Sequence, residues 1–122
     1  MAVGEAGLTL DDVCRVLDAE TLVPGRPEAP VQSIGAADLM SDVLALGTAG
    51  MLLLTGLATT QAIRTATVAD LVGVVFVRNK PVGEEVLALA RDSGVPVMRT
   101  HLTLFEAAGR LYAQLRAPRG RP

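Results

Sequence analysis

Three apolar runs in this chain are each followed by a short polar segment. Thr55-Gly56 trails Met51–Leu54, Arg78-Asn79-Lys80 trails Val72–Val77, and Arg99-Thr100-His101 trails Val95–Met98. These residue types are the parts of an anion pocket. Gly56 lets backbone approach a ligand, Thr55 and Thr100 offer hydroxyls, and Arg78, Lys80 and Arg99 offer charge and phosphate-matched donors. Asp38, Ser41 and Asp42 follow another run, Val31–Gly35, and could face the same edge. The candidate ligand set is therefore Asp42, Thr55, Gly56, Arg78, Lys80, Arg99 and Thr100. Polar turns after strands are also ordinary solvated connections, so both readings stay open.

Catalytic signals are sparse. His101 is the sole histidine and has no recognisable nucleophile beside it in sequence; Asp42 is its one conceivable partner. No G-x-S-x-G, G-x-G-x-x-G or phosphate-loop pattern occurs, and Lys80 is the only lysine. Cys14 is alone, which removes an internal disulfide and argues against a cysteine-ligated metal. The pairs Asp11-Asp12 and Glu84-Glu85 fall in first helical turns, where the helix dipole accounts for them. The expectation is a protein that binds without catalysing, with no cofactor and no metal.

Composition narrows the partners. Half of the 122 residues are apolar, yet Phe76, Phe105 and Tyr112 are the only aromatics, so no platform for stacking bases is on offer. A formal charge of -2 argues against nonspecific nucleic-acid binding. Arg116, Arg119 and Arg121, broken by Pro118 and Gly120, read as a flexible tail over 116–122 after one domain over 1–115. The longest apolar stretches fall well short of the roughly 20 residues a membrane span needs, and no secretory signal opens the chain. The expected location is the cytoplasm.

The elements that must position the candidate residues follow from periodicity and punctuation. Thr9 caps a helix whose Leu10, Val13, Val16 and Leu17 recur at helical spacing. Short strands are expected at Thr21–Val23 and Val31–Gly35. A helix is expected over Ala37–Leu46, with Leu39, Met40, Val43, Leu44 and Leu46 inward. The central strands Met51–Leu54, Val72–Val77 and Val95–Met98 alternate with helices near Thr60–Ala69 and Gly83–Asp92. A last helix is capped by Thr103. Alternation of strand and helix with short links implies parallel strands. The fold class is α/β, a mostly parallel β-sheet with flanking helices.

The last helix carries a second feature. Phe105 and Tyr112 lie seven residues apart with Gly109 between them, beside the core stripe of Leu104, Ala108, Leu111 and Leu115. The added apolar width suits either a homodimer interface through Phe105, Gly109 and Tyr112 or ordinary core packing.

Several runs resemble a DRTGG domain: ADLMSDVLAL (37–46), LLLTGL (52–57), IRTATVADLVGVVFVRNKPVGEEVLALARDSGVPVMRT (63–100) and LFEAAGRLY (104–112). The likeness spans about Leu8 to Leu115 and is strongest to stand-alone members of that family. The succession of strand, Arg, turn, helix, Gly-Val-Pro-Val and Arg-Thr is similar to the N-terminal domain of HPr kinase/phosphorylase. That resemblance implies the fold shared by that domain and the first domain of Mur ligases, in an accessory, regulatory unit. The family's catalytic residues lie in other domains, so none carries over, and the string DRTGG does not occur in the chain.

Two functions are consistent with these features. One is a regulatory, ligand-binding domain, dimeric, sensing a nucleotide or another phosphorylated small molecule at the strand ends. The other is an adaptor that docks a partner protein, a redox or signalling enzyme, through the last helix.

Overall fold

A computed structural model describes residues 2–116. Eleven elements follow in the order β1 (Ala2–Thr9), α1 (Leu10–Leu17), β2 (Glu20–Val23), β3 (Pro30–Ala36), α2 (Met40–Leu46), β4 (Met51–Thr55), α3 (Thr60–Val68), β5 (Gly73–Phe76), α4 (Glu84–Ser93), β6 (Val97–Arg99) and α5 (Leu104–Arg116). The strands form one six-stranded sheet ordered β1-β3-β4-β5-β6-β2. The four central strands run parallel, and β1 and β2 close the two edges antiparallel. The expected mostly parallel α/β sheet is what the chain forms. Strand β1 was not expected; its Ala/Gly-rich sequence carries little strand propensity and is held by pairing with β3.

Alternation along the central strands builds two cores. Met51, Leu53, Val74, Phe76 and Val97 point to one face, where α2, α3 and α4 bury Met40, Val43, Ala62, Ile63, Ala66, Val86 and Ala90. Leu52, Leu54, Val75, Val77 and Met98 point to the other, beneath Leu10, Val13 and Leu17 of α1 and Ala107 and Leu111 of α5. Stepping β3, β4, β5, β6 in one direction with crossovers of one hand puts α2, α3 and α4 on a common face. Phe76 is wholly buried at the centre; truncation to Ala would cost about 3–5 kcal/mol.

Local signals set the helix starts. Thr9 and Asp12 form a capping box at α1, with Thr9 Oγ1 accepting from Asp12 N at 3.1 Å and Asp12 Oδ2 accepting from Thr9 N at 3.0 Å. Thr103 and Glu106 repeat it at α5. Helix α4 ends on Gly94, whose φ of 70 places it in the left-handed region that glycine enters without strain.

Helix α2 departs from expectation. It begins at Met40, three residues later than the apolar spacing suggests, because Leu39 is extended. Only Met40 and Val43 are buried on it, and Leu39, Leu44 and Leu46 face outward. A seven-residue helix at the end of its layer has one neighbouring helix, α3, so one narrow stripe suffices. At the other end, Arg116 still belongs to α5, and the remainder of the expected tail, 117–122, lies outside the described residues. Among the described residues no helix is long and apolar enough to cross a membrane.

Candidate functional site

Because β3 to β6 are parallel, the segments that trail them gather at one rim of the sheet. Cross-strand partners Thr55↔Phe76 and Phe76↔Arg99 bring the ends of β4, β5 and β6 level. The geometry that the candidate pocket depends on is therefore present. Ligands in open parallel sheets bind beyond this edge.

Asp38 is the organiser of the rim. Its Oδ1 accepts from Gly56 N at 2.7 Å and from Thr55 Oγ1 at 3.1 Å, tying the link between β3 and α2 to the end of β4. Gly56 is shaped by close approach: a Cβ there would lie 3.1 Å from Arg78 Nη2 and 3.4 Å from Asp38 Oδ1. An Arg and an Asp thus converge over one glycine at the end of the central strand. They form no ion pair with each other, and Arg78 joins none of the ion pairs among the described residues.

The backbone that carries Arg78 is strained. Arg78 and Asn79 are consecutive non-glycine residues at φ 61 and 51, each at a cost of about 1–2 kcal/mol. Hydrogen bonds hold them there, Arg78 N donating to Leu102 O at 2.7 Å and Asn79 N to Thr100 O at 2.8 Å. The turn after β5 is in this way bolted to the turn after β6.

The two threonines share one device. Thr55 Oγ1 accepts from Leu57 N at 3.1 Å and donates to Asp38. Thr100 Oγ1 accepts from Leu102 N at 3.2 Å and donates to Leu17 O at 2.8 Å. Both side chains are buried. Each hydroxyl closes a tight turn at a strand end and fastens it to a neighbour, a local motif for which Ser and Thr are suited.

The remaining candidates divide. Arg99 is pinned: its Nε donates to Glu20 Oε1 at 2.8 Å, its Nη2 lies 2.6 Å from the same oxygen as an ion pair, and its Nη1 donates to Lys80 O at 3.2 Å. Its charge is balanced by Glu20, whereas Arg78 and Lys80 join no ion pair among the described residues. Asp42 sits exposed in the first turn of α2 and takes no part in the bonds that Asp38 makes. His101 is exposed. It lies beside the start of α5, where Thr103 N holds the Glu106 carboxyl below its ordinary range, Arg110 and His101 adding smaller contributions.

Asp38 was legible as one of three polar residues after Val31–Gly35. A helix start at Met40 would have singled it out, since it then falls in the link at the rim instead of inside a helix.

A second feature lies on the opposite helical layer. Phe105 is 87% exposed and Tyr112 51% exposed, although both are large apolar residues. With Gly109 they wall an apolar trough of about 290 Å³ whose floor is Ile34 and Ala36 of β3. Phe105, Gly109 and Tyr112 thus share one face of α5, flanking the buried stripe.

No protein-family model matches the chain, and no curated protein does. Its structure is similar to the crystal structure of the CBS and DRTGG domains of the regulatory region of Clostridium perfringens pyrophosphatase, complexed with its activator diadenosine tetraphosphate. The TM-score is 0.75 at 15% identity, over 91% of this chain and 49% of that one. The chain thus spans about half the length of that structure. The likeness shows the fold, and it agrees with the sequence resemblance to a DRTGG domain; the likeness to the HPr kinase/phosphorylase N-terminal domain rests on sequence pattern alone.

Proposed function

We propose that this chain is a non-catalytic regulatory domain that senses a nucleotide or a related phosphorylated small molecule at the rim formed by Asp38, Thr55, Gly56, Arg78 and Lys80. The carrying observation is the convergence of the Arg78 guanidinium and the Asp38 carboxylate over Gly56, at the carboxyl end of β4. Arg78 joins no ion pair among the described residues and is held on a strained turn, an arrangement that presents a phosphate-matched donor fork to solvent. Thr55 and Thr100 act in it as turn fasteners, and Arg99 as a positioning residue whose Nη1 fixes the Lys80 carbonyl. Lending support, a regulatory region about half of which is similar to this fold is known with a nucleotide activator bound.

The test is calorimetry and thermal shift with ADP, diadenosine tetraphosphate and pyrophosphate. At least one compound is expected to bind and raise the midpoint, and Arg78→Ala to abolish that response. No response to any of the three, or full retention of binding in the doubly substituted Arg78→Ala, Lys80→Ala protein, overturns the reading.

A second reading concerns assembly and rests on the α5 trough. We infer a homodimer in which a second copy of α5 fills it. Phe105 protrudes, and beside Gly109 lies open space in which an added Cβ would meet nothing within 4 Å. An isologous pairing uses both at once. The face is about 20 Å along α5 and about 20 Å across the helix and two adjoining strands. That footprint belongs to the small, concentration-dependent class of interface. Sedimentation equilibrium should show dimer at high concentration and monomer for Phe105→Glu. A wild-type protein that stays monomeric throughout removes the interface.

A further inference from the structure

The geometry points to a ribonucleotide as the ligand of the rim, with Asp38 receiving sugar hydroxyls while Arg78 takes phosphate; this rests on the reading of the rim as a ligand site. The reasoning begins with the lone pairs of Asp38. A carboxylate can accept about four hydrogen bonds. Both bonds that Asp38 accepts, from Gly56 N and Thr55 Oγ1, fall on Oδ1. Oδ2 accepts none, yet it lies only 3.8 Å from the position a Gly56 Cβ would take, which Arg78 Nη2 approaches to 3.1 Å.

A bare phosphate does not fit this pair of groups. It would satisfy Arg78 but meet a carboxylate carrying like charge, which is unfavourable at short range. An uncharged sugar would satisfy Oδ2 and leave Arg78 unmatched. The ligand that suits both carries hydroxyl donors and an anionic acceptor a few ångströms apart, as the ribose and phosphate of a nucleotide do. Thr55 contributes by holding Asp38, because its own hydroxyl is already engaged as donor and acceptor.

Calorimetry on the full chain with ADP, 2′,3′-dideoxy-ADP and pyrophosphate tests the assignment. ADP is expected to bind at least about tenfold tighter than the dideoxy compound, the loss expected for a hydrogen bond to a charged acceptor. Asp38→Asn keeps an amide oxygen for Thr55 and Gly56 but removes the charge. It should bring the ADP to dideoxy-ADP ratio near one and improve pyrophosphate binding. Equal affinity of the wild type for ADP and dideoxy-ADP overturns the ribose contact while leaving the anion site standing. An unchanged ratio in Asp38→Asn does the same. Failure of all three compounds to bind overturns the site and the ribose contact together.

Discussion

Glu20 and Arg99 stand opposite each other across the antiparallel β2–β6 pair, with Arg99 Nη2 2.6 Å from Glu20 Oε1, although 79 residues separate them. The pair neutralises one of the three cations at the rim and fixes the end of β6. The Arg78 guanidinium has no such partner among the described residues. Charge at the rim is therefore concentrated at the β5 turn, next to Gly56.

That pairing gives a stability prediction. Glu20 is more than half exposed, so its ion pair is screened by solvent. Glu20→Ala is expected to cost under about 1 kcal/mol, read from urea denaturation. A loss of several kcal/mol would mean the pair is far less solvated than the structure has it.

Thr100→Val should be much more damaging. It leaves Leu17 O without a donor and Leu102 N without an acceptor in a buried turn. A cost of about 2–3 kcal/mol is expected, with Thr100→Ser close to wild type. Equal stability of Thr100→Val and wild type would show that the hydroxyl is dispensable.

Arg78→Gly should separate stability from binding. Glycine adopts φ 61 without steric penalty, so the turn relaxes while the guanidinium is lost. The expected outcome is a gain of about 0.5–1 kcal/mol and no nucleotide response. Asn79→Gly should give a similar gain with binding retained. A destabilised Arg78→Gly protein would contradict the strain at this turn.

The two capping boxes predict a pH dependence. The Asp12 carboxyl is held below its ordinary range by the Thr9 backbone N–H first, with the Thr9 hydroxyl and Arg15 helping. Glu106 is lowered by the Thr103 backbone N–H in the same way. A carboxyl with a depressed folded-state pKa binds its proton more readily when unfolded. The stability it contributes is therefore complete above the unfolded value, near 4, and is lost as pH falls through the folded value. Denaturation midpoints should drop on acidification from pH 5 to pH 3. The drop should be smaller for Asp12→Asn with Glu106→Gln, each already lacking the titrating group. Identical acid profiles for that double variant and the wild type would exclude the caps as the source.

Much of the scaffold can be derived from local chemistry alone. The apolar runs at 51–54 and 72–77 are strands buried on both faces, and together with 95–98 their alternation with helices implies parallel pairing. Thr9 and Thr103 mark helix starts because a hydroxyl at that position meets a backbone N–H only one turn away. Such signals are contained within a few residues, so no knowledge of the rest of the chain is needed. The chemistry-bearing turns at 55–56, 78–80 and 99–101 follow from the same reasoning, since parallel strands must end on one side.

Tertiary structure decided which of those polar residues remain available. Nothing local distinguishes Arg78 from Arg99; the difference is Glu20, brought alongside by an edge strand from the other end of the chain. Nothing local ranks Asp38 above Asp42 either, until the end of β4 supplies Thr55 and Gly56 as donors. The outward turn of Phe105 and Tyr112 depends likewise on how α5 is rotated over Leu54 and Leu52. Charge compensation, burial and helix rotation are set by partners distant in sequence, and one chain's residue types do not encode which partner arrives.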